Sequence, residues 1–112
     1  MSVNTLDIRF VDEVDAAKVY AEFATINPLP GRRYGLIVDC LNMTGYELSA
    51  RTAFVDENRR LKEFIFATAI LTTNPVYKAV IGGMALASSQ TMHTFPARSK
   101  ALDWLTAQYT EA

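Results

Sequence analysis

The sequence predicts an α/β fold: a mainly parallel sheet of four strands, or five, with four helices, in the order β-α-β-α-β-α-β-α. Three observations predict it. Two continuous apolar runs of strand length, at 34–40 and 66–72, read as strands covered on both faces. Segments with helical spacing of apolar residues alternate with the strand candidates. Breakers fall between them, notably Asn27-Pro28-Leu29-Pro30-Gly31 and Asn74-Pro75. Such alternation implies right-handed crossovers between parallel strands.

The first element, 5–11, alternates Leu6, Ile8 and Phe10 against Asp7 and Arg9, the two-residue period of an edge strand or a strand exposed on one side. Asp12 is then expected to cap a helix over 13–25, with Val14, Ala17, Ala21 and Ala24 on one stripe and Tyr20 beside it. A central strand follows at 34–40, then a loop over 42–48 holding Asn42, Thr44 and Gly45. The spacing next predicts a helix from about 49 to 64 with Ala50, Ala53, Phe54, Leu61 and Phe64 inward; Arg51, Asp56, Arg59 and Lys62 lie on its other face.

A second buried strand is read at 66–72. Asn74 as N-cap and Pro75 at the first helical position start a helix running to about 87. Gly82 and Gly83 lie inside it and each costs about 1 kcal/mol relative to Ala, so this helix is expected to loosen or end early. Two readings of the pair are a mobile flap over an apolar pocket and close packing on the sheet, the second being preferred because small residues permit near approach. A short strand at 90–95 and a helix at 97–109, with Ala101, Leu102 and Leu105 inward and Trp104 beside them, complete the pattern.

At 112 residues the chain is long enough for one compact core, and the whole length is read as a single domain. Half of the residues are hydrophobic and the formal net charge is −1. That balance lacks the basic face of a nucleic-acid binder, and Arg32-Arg33 and Arg59-Arg60 are pairs rather than a polybasic run. The single cysteine, Cys40, rules out an intrachain disulfide framework and a multi-cysteine zinc site. With no signal-peptide pattern and no membrane-length apolar stretch, the expected location is the cytoplasm.

Ligands of open α/β sheets bind beyond the carboxyl ends of the strands. Those ends supply the candidate binding residues Asp39, Asn42, Thr44, Tyr46, Ser49, Thr72 and Asn74. Asp39 has a plain alternative role, accepting N–H groups of the following turn. Asp12, Glu13, Asp39 and Thr72 also form a loose phosphoacceptor pattern, but the last strand carries no lysine to hold a phosphoryl group. His93 is the only histidine, and no second His lies near it to make a metal pair or an acid/base pair. Cys40, beside Asp39 and in an apolar run, is a poor nucleophile. No Gly-x-Ser-x-Gly elbow, P-loop or Gly-x-Gly-x-x-Gly is present, so no catalytic residue, cofactor or metal is assigned.

An apolar strand ending in aspartate (Leu36-Ile37-Val38-Asp39), a loop and helix, then Phe66-Ala67-Thr68-Ala69-Ile70 and a closing Phe95-Pro96-Ala97-Arg98-Ser99-Lys100-Ala101-Leu102-Asp103-Trp104-Leu105 resemble STAS domains over roughly 5–109. The resemblance is to the small stand-alone bacterial members with the SpoIIAA-like fold, the anti-sigma-factor antagonist type. It implies a non-enzymatic regulatory or protein-interaction domain. In the antagonists the second serine of Asp-Ser-Ser-Gly, at a helix start, is phosphorylated. The corresponding stretch here is Glu47-Leu48-Ser49-Ala50, which places Ser49 at that position and lacks the first serine and the glycine. Free N–H groups at a helix start tolerate a phosphate, and the plain alternative for Ser49 is a helix N-cap.

The leading expectation is therefore a domain that binds a protein partner through Asn42–Leu48 and the helix beginning near Ser49. The alternative is a domain holding a small apolar ligand or lipid in a pocket at the strand ends. An enzyme is the third reading. Homodimer formation through the first strand or an exposed helix face is compatible with the sequence, which contains no coiled-coil seam.

Overall fold

The computed structural model describes residues 3–111. Its elements run β1 (Thr5–Val14), α1 (Ala16–Phe23), β2 (Tyr34–Tyr46), α2 (Leu48–Arg60), β3 (Ile65–Leu71), α3 (Pro75–Ser88), β4 (Met92–Phe95) and α4 (Arg98–Glu111). The sheet has four strands in the order β1-β2-β3-β4, and all three pairings are parallel. This is the predicted α/β architecture in the predicted order.

The helices divide unequally between the two faces. Phe10, Leu36, Val38 and Ile70 on one face pack with Val19 and Phe23 of α1, Phe54 of α2 and Ile81 of α3. On the other face Ile37, Ala69 and Leu71 meet Ala101 and Leu105 of α4. One helix does not reach across four strands, so the second face of β1 keeps Asp7 and Arg9 in solvent. That explains why 5–10 alternates while 34–40 does not. Gly35 is where α4 comes nearest: a Cβ there would lie 2.9 Å from Leu105 Cδ2.

Between α2 and β3 the core contains a buried polar contact. Asn58 Nδ2 donates to Phe54 O at 2.9 Å, and Thr68 Oγ1 donates to Asn58 Oδ1 at 3.3 Å. Buried polar groups are tolerated when they are paired in this way. Cys40 is buried as well; burial first and the Asp39 charge second push its thiol from 9.0 up to about 12.

The outer edge of β1 is closed by its own following helix. The Arg9 N–H donates to Glu22 Oε1 at 3.0 Å, and Lys18 Nζ donates to Val11 O at 3.2 Å and Glu13 O at 2.5 Å. Edge N–H and C=O groups are the usual template for sheet extension between molecules. From Arg9 to Glu13 these are engaged, which disfavours dimer formation through this part of the strand.

Several expectations need correction. Asp12 does not cap α1: the strand continues to Val14, Asp12 adopts φ 56°, and Asp15 Oδ1 accepts the Lys18 N–H as the cap. The register between β1 and β2 shifts on both sides of Val11–Asp12, and this irregularity breaks the alternation that would have announced the longer strand. Because α1 starts three residues late, its inward face is Ala16, Val19 and Phe23, while Ala17, Ala21 and Ala24 are exposed. Residues 42–46 are strand, not loop. Helix α3 runs through Gly82 and Gly83 without ending, and a Cβ at either would have nothing within 4 Å, so neither glycine packs on the sheet.

This packing makes three changes measurable. Leu105→Ala, at a fully buried position on the sheet-facing side of α4, is expected to lower unfolding free energy by about 2–5 kcal/mol in urea titration. Gly82→Ala, on the open side of α3, is expected to raise it by about 0.5–1 kcal/mol. The Cys40 thiol should resist iodoacetamide in the folded protein at pH 8 and react on denaturation, read by intact mass. Its raised folded pKa stabilises the fold fully below pH 9, and that contribution is lost as pH rises toward about 12.

Candidate functional site

The pairing pattern of β2 sets up the site. From Gly35 to Asp39 it is hydrogen-bonded on both sides, ending at the Asp39–Leu71 pair with β3. Beyond that, Asn42 to Tyr46 pair only with Val11 to Val14 of β1. The outer half of β2 is thus a two-stranded extension past the carboxyl edge of the sheet. It delivers Met43 and Tyr46 to the space between α2 and α3.

There they line an apolar cleft of about 60 Å³. Phe10, Val38 and Cys40 form its floor; Phe54 of α2 and Val80 and Met84 of α3 form its sides. Tyr46 and Tyr77 meet across it edge to face, with ring centroids 5.8 Å apart. Arg51, in the first turn of α2, contributes the cleft's one charged side chain. Around the same end of the sheet Leu48 is 72% exposed, Val76 65% and Leu41 44%. Leu48 and Val76 are each the first or second residue of a helix, off the stripe that packs on the sheet.

The seven predicted site residues divide into three groups. Tyr46 and Ser49 lie beside the cleft, and Asn42 and Thr44 are exposed on the strand extension leading to it. Asp39 faces the other side of the sheet. Its carboxylate accepts the Leu41 N–H at 3.0 Å and pairs with Arg9 at 3.5 Å, the turn role read as its plain alternative. On that side Arg98 also pairs with Asp7, whose hydrogen bond pushes the guanidinium pKa upward. Thr72 and Asn74 serve the entry to α3. Thr72 is buried and its Oγ1 accepts the Asn74 N–H at 3.2 Å; Asn74 Oδ1 accepts the Val76 and Tyr77 N–H groups at 2.8 and 3.3 Å.

Ser49 is not the cap of α2. Glu47 occupies the N-cap position without a side-chain cap bond, and Ser49 Oγ donates to Glu47 Oε2 at 3.4 Å. Ser49 is exposed within the first helical turn. His93 packs against Trp104 with ring centroids 5.0 Å apart and the rings tilted by 49°, rather than joining a titratable cluster.

The sequence reading placed Leu48 at the end of the binding segment but as a loop residue, and it did not single out Arg51, Val76 or Tyr77 for the site. The available signal was two large apolar residues at helix starts, off the core-facing stripe; assigning 42–48 to a loop hid it. Among the described residues no three His, Cys, Asp or Glu side chains form a metal-binding group, and no helix is long and apolar enough to cross a membrane.

Comparison with known proteins gives a fold and no more. No protein-family model matches the chain, and no curated protein matches it. A solved structure from Shewanella loihica PV-4, described as an uncharacterised protein of the DUF3478 family with a SpoIIAA-like fold, superposes with a TM-score of 0.67. The alignment covers 90% of this chain and 83% of that one at 15% sequence identity. The architecture here is thus the SpoIIAA-like fold to which STAS domains belong, a four-stranded parallel sheet with four helices in β-α repeat order.

Proposed function

We propose that this chain is a non-catalytic interaction domain of STAS type that recognises a protein partner through the outer half of β2 and the starts of α2 and α3. The observation that carries this reading is a small apolar cleft ringed by large exposed apolar residues. A cleft of about 60 Å³ is well below the roughly 300–1,000 Å³ of small-molecule sites. It has room for one short apolar side chain. Leu41, Leu48 and Val76 extend the apolar surface beyond the cleft, as a partner inserting one anchor and covering the rim would require.

Ser49 sits inside this surface. A phosphate on its hydroxyl would meet the free N–H groups at the start of α2 and the Arg51 guanidinium two residues on, but also the Glu47 carboxylate already within 3.4 Å. Modification there would add negative charge beside the exposed apolar side chains of the rim. We propose that it would weaken the capture of a partner with an apolar anchor.

The second reading, a small apolar ligand, is favoured by the nearly unbroken apolar lining of the same cleft. The two are separable. Leu48→Asp/Val76→Asp leaves the cleft intact and alters only exposed positions. In affinity capture from lysate of the native source, proteins retained at stoichiometric yield by the wild type are expected to fall by about thirty-fold or more, the loss of one hot-spot contact. Unchanged recovery by this folded double variant rejects the partner reading. Native mass spectrometry of freshly purified wild type tests the other: a retained apolar molecule supports the ligand, and bare protein with no thermal shift on adding lipids counts against it.

A further inference from the structure

The amino ends of the strands, opposite the cleft, border an open groove of about 620 Å³ between the last turns of α2 and α3. Four cations, Arg33, Arg59, Arg60 and Lys62, line it against one carboxylate, Glu63. A neighbouring groove of about 450 Å³ shares Arg33 and Phe66 with it and adds Arg32 and Tyr109. Five of the chain's eleven Lys and Arg residues therefore gather at one end of a molecule whose formal net charge is −1.

Helix structure explains two of the five. Arg59 and Arg60 lie in the last turn of α2, where they offset the negative end of the helix. Arg59 Nη2 also donates to Ala87 O at 3.0 Å, and Arg60 pairs with Glu57 at 2.6 Å. Arg33 and Lys62 play no comparable part in the fold. Both are exposed, and their side chains make no hydrogen bond or ion pair among the described residues. A second, independent observation lies in the same wall. Gln90 Nε2 is buried without a hydrogen-bond partner. A buried donor left unpaired is costly, and turning the Gln90 amide toward an acceptor in the groove would satisfy it.

We propose that this groove binds a small soluble polyanion carrying two or more adjacent phosphate groups, held by Arg33 and Lys62, with the Gln90 amide turning into the groove to donate to it. The groove lies within the size range of small-molecule sites. Guanidinium and ammonium groups together suit phosphate oxygens, the first by paired donors and the second as a point charge. One carboxylate would leave most of this charge unmatched. A nucleic acid needs a basic track along the surface, whereas the cations here stop at one end of the sheet. The Phe66–Tyr109 edge-to-face pair, with centroids 5.4 Å apart, borders the groove and offers an apolar shelf to the remainder of such a ligand.

Titration calorimetry of the full chain with sodium pyrophosphate and with ATP tests this, at about 0.15 M salt, where weak surface attraction is screened. Saturable single-site binding is expected. Arg33→Gln/Lys62→Gln is expected to weaken it at least ten-fold, while Lys100→Gln, in the first turn of α4 at the opposite end of the sheet, leaves it unchanged. Thermal melts establish that the variants fold. Absence of saturable binding by either anion overturns the proposal, as does equal affinity in the double variant, or a single-stranded oligonucleotide binding more tightly than both. None of these outcomes depends on the partner surface at the opposite end.

Discussion

Everything in this fold depends on covering β2 from both sides. Leu36, Ile37 and Val38 are essentially without solvent exposure, and they face alternately toward the three-helix layer and toward α4. A strand so enclosed cannot slip by one residue, because the slip would exchange the two packed faces. Gly35 shows how tight the enclosure is: the α4 side chain Leu105 occupies the space a Cβ would need. With β2 fixed, its neighbours are fixed by pairing and the helices by the crossovers between parallel strands.

The same strand also sets where binding groups are placed. Its inner half has a neighbour on each side; its outer half has only β1. The outer half carries Met43 and Tyr46 past the edge of the sheet to the cleft between α2 and α3. Apolar recognition groups thus collect at the carboxyl end, while the unpaired cations collect at the amino end, around Arg33, which immediately precedes the first residue of β2. The two ends present different chemistry to solvent, and the enclosed half of the strand separates them.

Most of this architecture was legible in the sequence because burial on both faces and burial on one face leave different residue patterns. The run 34–40 and the alternation at 5–10 each matched the coverage found. So did Asn74-Pro75, whose cap geometry is local. The failures also have local causes. A left-handed Asp12 and a shifted register turned a continuing strand into what looked like a helix entry, and moved the inward face of α1 to Val19 and Phe23. Asn42, Thr44 and Gly45 carry turn chemistry, yet pairing with β1 overrides it. Of the seven candidate residues, chosen from position alone, Tyr46 and Ser49 lie beside the cleft, while Thr72 and Asn74 hold the start of α3. The amino-end groove was illegible, since Arg33, Lys62 and Gln90 meet only through folding.

The division of β2 into an enclosed half and an outlying half is the central claim, and native-state hydrogen exchange tests it residue by residue. Amides from Gly35 to Val38 are predicted to exchange only through global unfolding, with protection equal to the full unfolding free energy. Amides from Asn42 to Tyr46 are predicted to exchange through a smaller opening, at a free energy clearly below that limit. Equal protection along the whole of β2 would contradict the account, because the outer half would then be as deeply held as the core and not a separate platform for recognition.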